Sequence, residues 1–280
     1  MHHIVHEIIH EVYHCLTMVP FLFMAYLLIE YIEKYSSDKM EKLMTGFGRM
    51  GPLGGAVLGC IPQCGFSAAA ANLYSTRLIT MGTLVAVFLS TSDEAIPLLL
   101  SNPGHGKTIL KIIAIKIVIG AIVGFAADFI FKSTPDMAKE ELHHKHAHCG
   151  NGKKTVSGML MAAIKHTAET FLFIAVISIA FNFAVQILSE ERLAALFMAN
   201  TVFQPFVTAL VGFVPNCATS VLLTKLYIEG TISFGSAVAG LCSAAGVGLM
   251  VLFKENRPAK DNFKIIAVVY VSAVIAGLVF

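Results

Sequence analysis

Apolar residues in this chain neither alternate nor stripe one face of short helices. They come in runs of about twenty or more, long enough to cross the hydrocarbon core of a bilayer. The runs lie at roughly 15–33, 50–76, 78–100, 108–131, 158–188, 193–227, 232–253 and 263–280. Two are interrupted halfway, at Gly59-Cys60-Ile61-Pro62-Gln63-Cys64-Gly65 and at Gly212-Phe213-Val214-Pro215-Asn216-Cys217. Proline removes a backbone donor and clashes with the preceding turn, so both runs are predicted to be broken helices. The others read as uninterrupted spans.

The pattern repeats. Sliding residues 59–124 along by 153 positions lays them on 212–277 without a gap, and 20 of those 66 pairs are identical. Among them are Gly59/Gly212, Pro62/Pro215, Cys64/Cys217, Ser67/Ser220, Leu73-Tyr74/Leu226-Tyr227, Gly82/Gly235, Ser90/Ser243 and Lys111-Ile-Ile-Ala114/Lys264-Ile-Ile-Ala267. Shared apolar composition would not align Pro, Cys and Lys together without gaps.

Charge orients the spans. The basic stretches are Lys34 to Arg49, Lys132 to Lys154 and Lys254 to Lys264, whereas 101–107 and 189–192 hold one basic residue each. If each interrupted run enters and leaves on one side as a hairpin, all three basic stretches fall in the cytoplasm. The two poor segments and both termini then lie outside, and the two halves are oppositely oriented. The expected fold is an all-α polytopic membrane protein: an inverted-topology repeat of two five-helix units, each with a Pro-broken helical hairpin. Its parts would be membrane repeat 1 at 1–131, a cytoplasmic His-rich linker at 132–157 and membrane repeat 2 at 158–280. The expected location is the inner (plasma) membrane.

Composition sharpens this. The chain is 56% hydrophobic and 14% charged, with mean hydropathy +0.74, where soluble domains carry about 25% charged residues. A net charge of +2 argues against a nucleic-acid partner, and six scattered cysteines against a disulfide scaffold. No cleavable signal peptide is expected, because the N-terminus opens on histidines and a glutamate.

The stretch Pro20-Phe-Leu-Phe-Met-Ala-Tyr-Leu-Leu-Ile-Glu-Tyr-Ile-Glu33, with segments 59–67 and 212–220, resembles the ten-helix heavy-metal exporter family. Members are commonly labelled arsenic efflux proteins or manganese transporters. The resemblance covers nearly the whole chain and implies export of a toxic metal or metalloid.

Cys64 and Cys217 are the first candidate ligands, each two residues past a helix-breaking proline, Pro62 and Pro215. Thiolates select soft ions, and by the same logic trivalent arsenic and antimony; the competing reading is cysteine as a small apolar filler. Cys60, whose repeat counterpart is Phe213, and Cys242, whose counterpart is Leu89, are read as packing. Gln63 and Asn216, then Ser67 and Ser220, offer matched donors and acceptors for arsenous acid or a partly hydrated cation. They can equally cap the half-helices after each proline. Asp93 and Glu94 are the acidic pair inside a predicted span; they suit manganese or proton coupling, or Asp93 caps a helix near the outer interface. Lys116 and Lys225 are expected to snorkel or pair locally. His6, His10 and His14 share one helical face, and His143, His144, His146, His148 and Cys149 form a tract of the kind that binds metal loosely. The alternative is solvated polar ends.

His6-Glu-Ile-Ile-His10 and His10-Glu-Val-Tyr-His14 also match HExxH, so the alternative function is an intramembrane zinc metalloprotease. The copies share His10, no Leu-Asp-Gly segment supplies a third ligand, and the repeat has no purpose in that scheme. The favoured reading is a transporter exporting an arsenite-like species or a divalent cation such as manganese by alternating access. A channel could use the same residues, while a scaffold or sensor fits the repeat poorly. No cofactor is expected beyond the transported ion, and no nucleotide-binding motif is present, so energy would come from an ion gradient or a partner ATPase. The expected partners are that ion, the lipid bilayer and, as an option, a second copy in a homodimer.

Overall fold

The structure is a computed structural model. It describes residues 50–61, 64–91, 95–96, 99, 106–131, 202–215 and 217–280, with scattered helical positions within 19–27 and 160–176. Among the described residues every element is a helix. In chain order these are α1 (Gly51–Gly59), α2 (Cys64–Ser75), α3 (Met81–Ser90), α4 (Gly106–Phe131), α5 (Gln204–Gly212), α6 (Cys217–Ile228), α7 (Phe234–Ser243), α8 (Val247–Glu255) and α9 (Ala259–Val279).

Both interrupted runs break where the prolines require. α1 and α2 are 9 and 12 residues long, as are α5 and α6. At 1.5 Å per residue each covers only about 14–18 Å, roughly half of a bilayer core. The bounds of α1, α2 and α3 recur 153 positions later as those of α5, α6 and α7.

Close glycine contacts set the helix directions. On α1, Gly51 faces Thr83 and Gly59 faces Val87 and Ser90, so α1 and α3 run side by side in one direction. The chain between them returns through α2. Gly82 faces Gly124 while Gly120 faces Ala86 and Ser90, so α4 runs back against α3. The later helices repeat these contacts: Gly212 faces Gly240 and Ser243, and Gly235 faces Gly277. Even the helix starts match. The Thr80 hydroxyl accepts from the Thr83 amide at 3.1 Å, and the Ser233 hydroxyl from the Ser236 amide at 3.1 Å.

The run 232–253, expected to be continuous, is broken. α7 ends at Ser243 and α8 starts at Val247, with Gly246 between them at φ 54°, where a Cβ would be strained. Likewise α3 stops at Ser90, and the chain leaves it at Thr91 with ψ 127°. Among the described residues three stretches are long and apolar enough to cross a membrane: Thr108–Phe131, Phe234–Glu255 and Ala259–Val279. The middle one is 94% buried, against 28% and 39% for the others, so the broken helix is the centre of the bundle. α4 and α9 lie at its edge, showing Val118, Ile122, Phe129, Val271, Ile275 and Leu278 outward, an apolar surface suited to lipid.

Candidate functional site

The two Pro-x-Cys breaks have matching backbone geometry. At the end of α1 the Cys60 and Ile61 amides bond to Val57 and Leu58 carbonyls at 3.3 and 3.1 Å. At the end of α5 the Phe213 and Val214 amides bond to Leu210 and Val211 at 3.2 and 2.9 Å. Each helix therefore tightens into a 3₁₀ turn before it stops. Cys64 and Cys217 are the first residues of the half-helices that follow.

Both breaks are pressed onto a neighbour. A Cβ on Gly59 would stand 2.7 Å from the Val87 carbonyl oxygen, and one on Gly212 would meet the Gly240 carbonyl and the Ser243 hydroxyl. Ser67 and Ser220 are buried. Ser67 lies against α8, where a Cβ on Gly248 would stand 2.7 Å from its Cβ and 2.8 Å from its carbonyl oxygen. Pro215 is half-buried within its break. The other expected site positions lie outside the described residues: Pro62, Gln63, Asn216, Asp93, Glu94, His6, His10, His14, His143, His144, His146, His148 and Cys149, with the side chains of Cys64 and Cys217. Among the described residues no group of three His, Cys, Asp or Glu could hold a metal ion.

Of the two expectations for Lys116, snorkelling is overturned. Its side chain is fully buried (0% exposed) and does not snorkel. The ammonium donates to the Thr91 carbonyl at the end of α3 and to the Leu241 carbonyl in the last turn of α7, at 2.7 Å for the latter. Burying an ammonium is expensive unless it is hydrogen-bonded, and helix C-termini supply the partial negative charge that does this. Lys225, by contrast, is exposed in the last turn of α6. Cys60 and Cys242, which the repeat leaves without matching cysteines, lie within electrostatic range of each other and of Lys116. Cys242 is buried and Cys60 half-buried.

Sequence reasoning missed this group, although a signal existed. A lysine eight residues into an apolar run is an intramembrane ionisable residue, which is a functional candidate by default.

Two further polar clusters fix the frame. The Asp261 carboxylate accepts from Tyr74 Oη at 2.7 Å and from Arg77 and Asn256 at 3.2 Å each, tying the end of α2 to the start of α9. The Asp128 carboxylate accepts from Thr80 Oγ1 and the Gly82 amide at 2.7 Å each, at the positive N-terminal end of α3. At the start of α7 an uncharged group takes that place: Gln204 Oε1 accepts from the Ser233 amide at 3.0 Å and the Ser236 hydroxyl at 2.8 Å.

Long apolar helices at the edge, a central span broken in mid-course and buried polar groups at the breaks define an all-helical multi-pass membrane protein. A family model described as "Putative, 10TM heavy-metal exporter" (ArsP_2) matches residues 3–185 and 163–280. The chain belongs to this family. No curated protein and no solved structure matches it.

Proposed function

We propose that the protein exports a soft metal or metalloid across the inner membrane by alternating access, through a site between two Pro-broken hairpins related by an inverted repeat. The carrying observation is that α2 and α6, at equivalent positions, both begin at a cysteine two residues past a proline. A half-helix N-terminus offers unpaired amides and the positive end of a dipole, which favours a thiolate. Non-helical backbone at this depth is tolerated where it lines a cavity or is buried in protein.

Helix directions support the inversion. α2 runs against α3, because it brings the chain back from α1. α2 runs with α8, since Ser67 lies against Gly248 near their starts, while Tyr74 donates to Asp261, which also accepts from Asn256 just beyond the end of α8. α7 and α8 belong to one span, so α3 and α7 are opposed. The Arg77–Asp261 pair fits the sidedness, joining the turn after α2 to the basic stretch 254–264 at one membrane face. That face would be the cytoplasm, with both termini outside.

In this scheme Cys64 and Cys217 bind the cargo, and Gln63, Asn216, Ser67 and Ser220 orient it. Asp93 or Glu94 couples its movement to protons or holds a hard cation. The tract 143–149 gathers metal on the cytoplasmic side, within the linker 132–157 between the membrane units 1–131 and 158–280.

Cells lacking the gene, complemented with variants at matched expression, test the cargo class. Cys64→Ser and Cys217→Ser should each abolish arsenite or soft-metal resistance. If both changes are mild while Asp93→Asn or Glu94→Gln removes manganese resistance, thiolate binding is refuted and a hard cation is the cargo. If no variant alters resistance to any metal, the export reading fails.

A further inference from the structure

Lys116 links two helix ends that lie 150 positions apart, 25 and 125 positions from Lys116 itself, in a way the export scheme above does not use. Its two acceptors are alike. The Thr91 carbonyl follows the last residue of α3, and the Leu241 carbonyl lies in the last turn of α7. In a continuous helix Leu241 would accept from the Ala245 amide. That amide instead bonds to the Ser243 carbonyl at 2.8 Å, and Gly246 then turns the chain away.

The neighbouring carbonyls are capped locally. The Ser90 and Thr91 hydroxyls donate to Ala86 and Val87, and the Ser243 hydroxyl donates to Ala239 and Gly240. Thr91 and Leu241 thus present helix-end carbonyls to one point between α3 and α7. Broken helices whose C-terminal carbonyls converge are a general way to hold a small cation at membrane depth.

We propose that this meeting point is a monovalent-cation position, and that Lys116 fills it with a tethered ammonium in place of a free alkali-metal or ammonium ion. The repeat supports the separation of position from occupant: the counterpart of Lys116 is Val269, itself buried on α9, so the helix packs equally well there without an ammonium. The thiols of Cys60 and Cys242 are the titratable side chains in range among the described residues. Asp93 and Glu94 follow Thr91 in the sequence and lie outside the described residues. Carrying its own cation, the protein needs no sodium or potassium to hold α3 and α7 together. The role in transport rests on the export reading, whereas cation dependence is measured without cargo, so either can fail alone.

The test compares wild-type and Lys116→Ala protein in detergent, melted in choline chloride and in equal concentrations of potassium, ammonium and methylammonium chloride. Wild type should melt at one temperature in all four. The variant should melt at least about 5 °C lower in choline and regain at least half of that loss in methylammonium or potassium. Lys116→Arg, which keeps a cation, should stay insensitive to the salt. The proposal is overturned if Lys116→Ala melts alike in all four salts, matches wild type in choline, or cannot be recovered in any of them. A salt-sensitive Lys116→Arg protein overturns it as well.

Discussion

One substitution at two sites on α1 should have opposite effects. Gly54 is exposed, and a Cβ there meets nothing within 4 Å; at Gly59 a Cβ would stand 2.7 Å from the Val87 carbonyl oxygen and 3.2 Å from Val87 Cα. Alanine gains up to about 1 kcal/mol over glycine in a helix, and Gly54→Ala should collect it undiminished. At Gly59 the same gain is set against overpacking, which costs about 1–3 kcal/mol. Relief by movement is blocked, because the Val87 carbonyl already accepts from the Thr91 amide at 2.9 Å and from the Ser90 and Thr91 hydroxyls at 3.1 and 2.7 Å. Gly59→Ala should therefore lose up to about 2 kcal/mol net, the difference of those two ranges. At about 2–4 °C per kcal/mol for a chain approaching this length, Gly54→Ala should melt up to about 4 °C above wild type and Gly59→Ala up to about 8 °C below. Gly212→Ala should lose as Gly59→Ala does. The chain has no tryptophan, so circular dichroism in detergent is the suitable probe. If Gly59→Ala melts with Gly54→Ala or above it, the close approach of α1 to α3 is wrong.

Four other outcomes are expected. Asp261→Ala strands the Tyr74 and Arg77 donors and should cost about 1–3 kcal/mol, the carboxylate being partly exposed; an unchanged melting temperature would remove this tie between α2 and α9. Asp128→Ala should cost about 1–2 kcal/mol by leaving the Gly82 amide and Thr80 hydroxyl without their acceptor, and Asp128→Asn should lose less, as thermal melts of the two will reveal. A single cysteine at position 105 in an otherwise cysteine-less chain should react with an impermeant thiol reagent from outside the cell; reaction from the cytoplasm alone would refute the proposed sidedness. Deleting 143–149 should raise the apparent KM for export in everted vesicles and spare the maximum rate, while deleting 2–10 should do little; the reverse pattern indicates import, and no change in either means these histidines are solvated ends.

The half-helix breaks were legible in the sequence because their cause is local. A proline with glycine and cysteine beside it stops a helix in nearly any surroundings, and α1, α2, α5 and α6 end and begin where that chemistry puts them. The gap at 244–246 was not legible, since Ser243-Ala-Ala-Gly-Val-Gly holds no residue that forbids a helix. What opens it is the positive φ of Gly246 in the bundle centre. Lys116 misled for the complementary reason. Snorkelling is the ordinary behaviour of a lysine within a few turns of a span end, and the carbonyl that reverses it belongs to Leu241, 125 positions away. Short-range rules locate where a helix must stop. They say little about which buried group the freed carbonyls will meet.

The positions at which the aligned segments 59–124 and 212–277 agree and those at which they differ divide by role. Gly59/Gly212, Gly82/Gly235, Gly124/Gly277 and Ser90/Ser243 all stand where backbones approach closely, where an added Cβ meets a carbonyl or a hydroxyl that is already engaged. Around the meeting of α3 and α7 the pairs diverge: Lys116/Val269, Thr91/Ala244, Cys242/Leu89 and Cys60/Phe213. Close packing can be duplicated at no electrostatic cost, since each of these glycines packs against helices of its own half. Charge cannot. A second buried ammonium in the same low-dielectric core would repel the first, and both would have to be desolvated. Among the described residues the aligned segments therefore repeat their glycines freely but hold a buried ammonium once, at Lys116, whose counterpart is Val269.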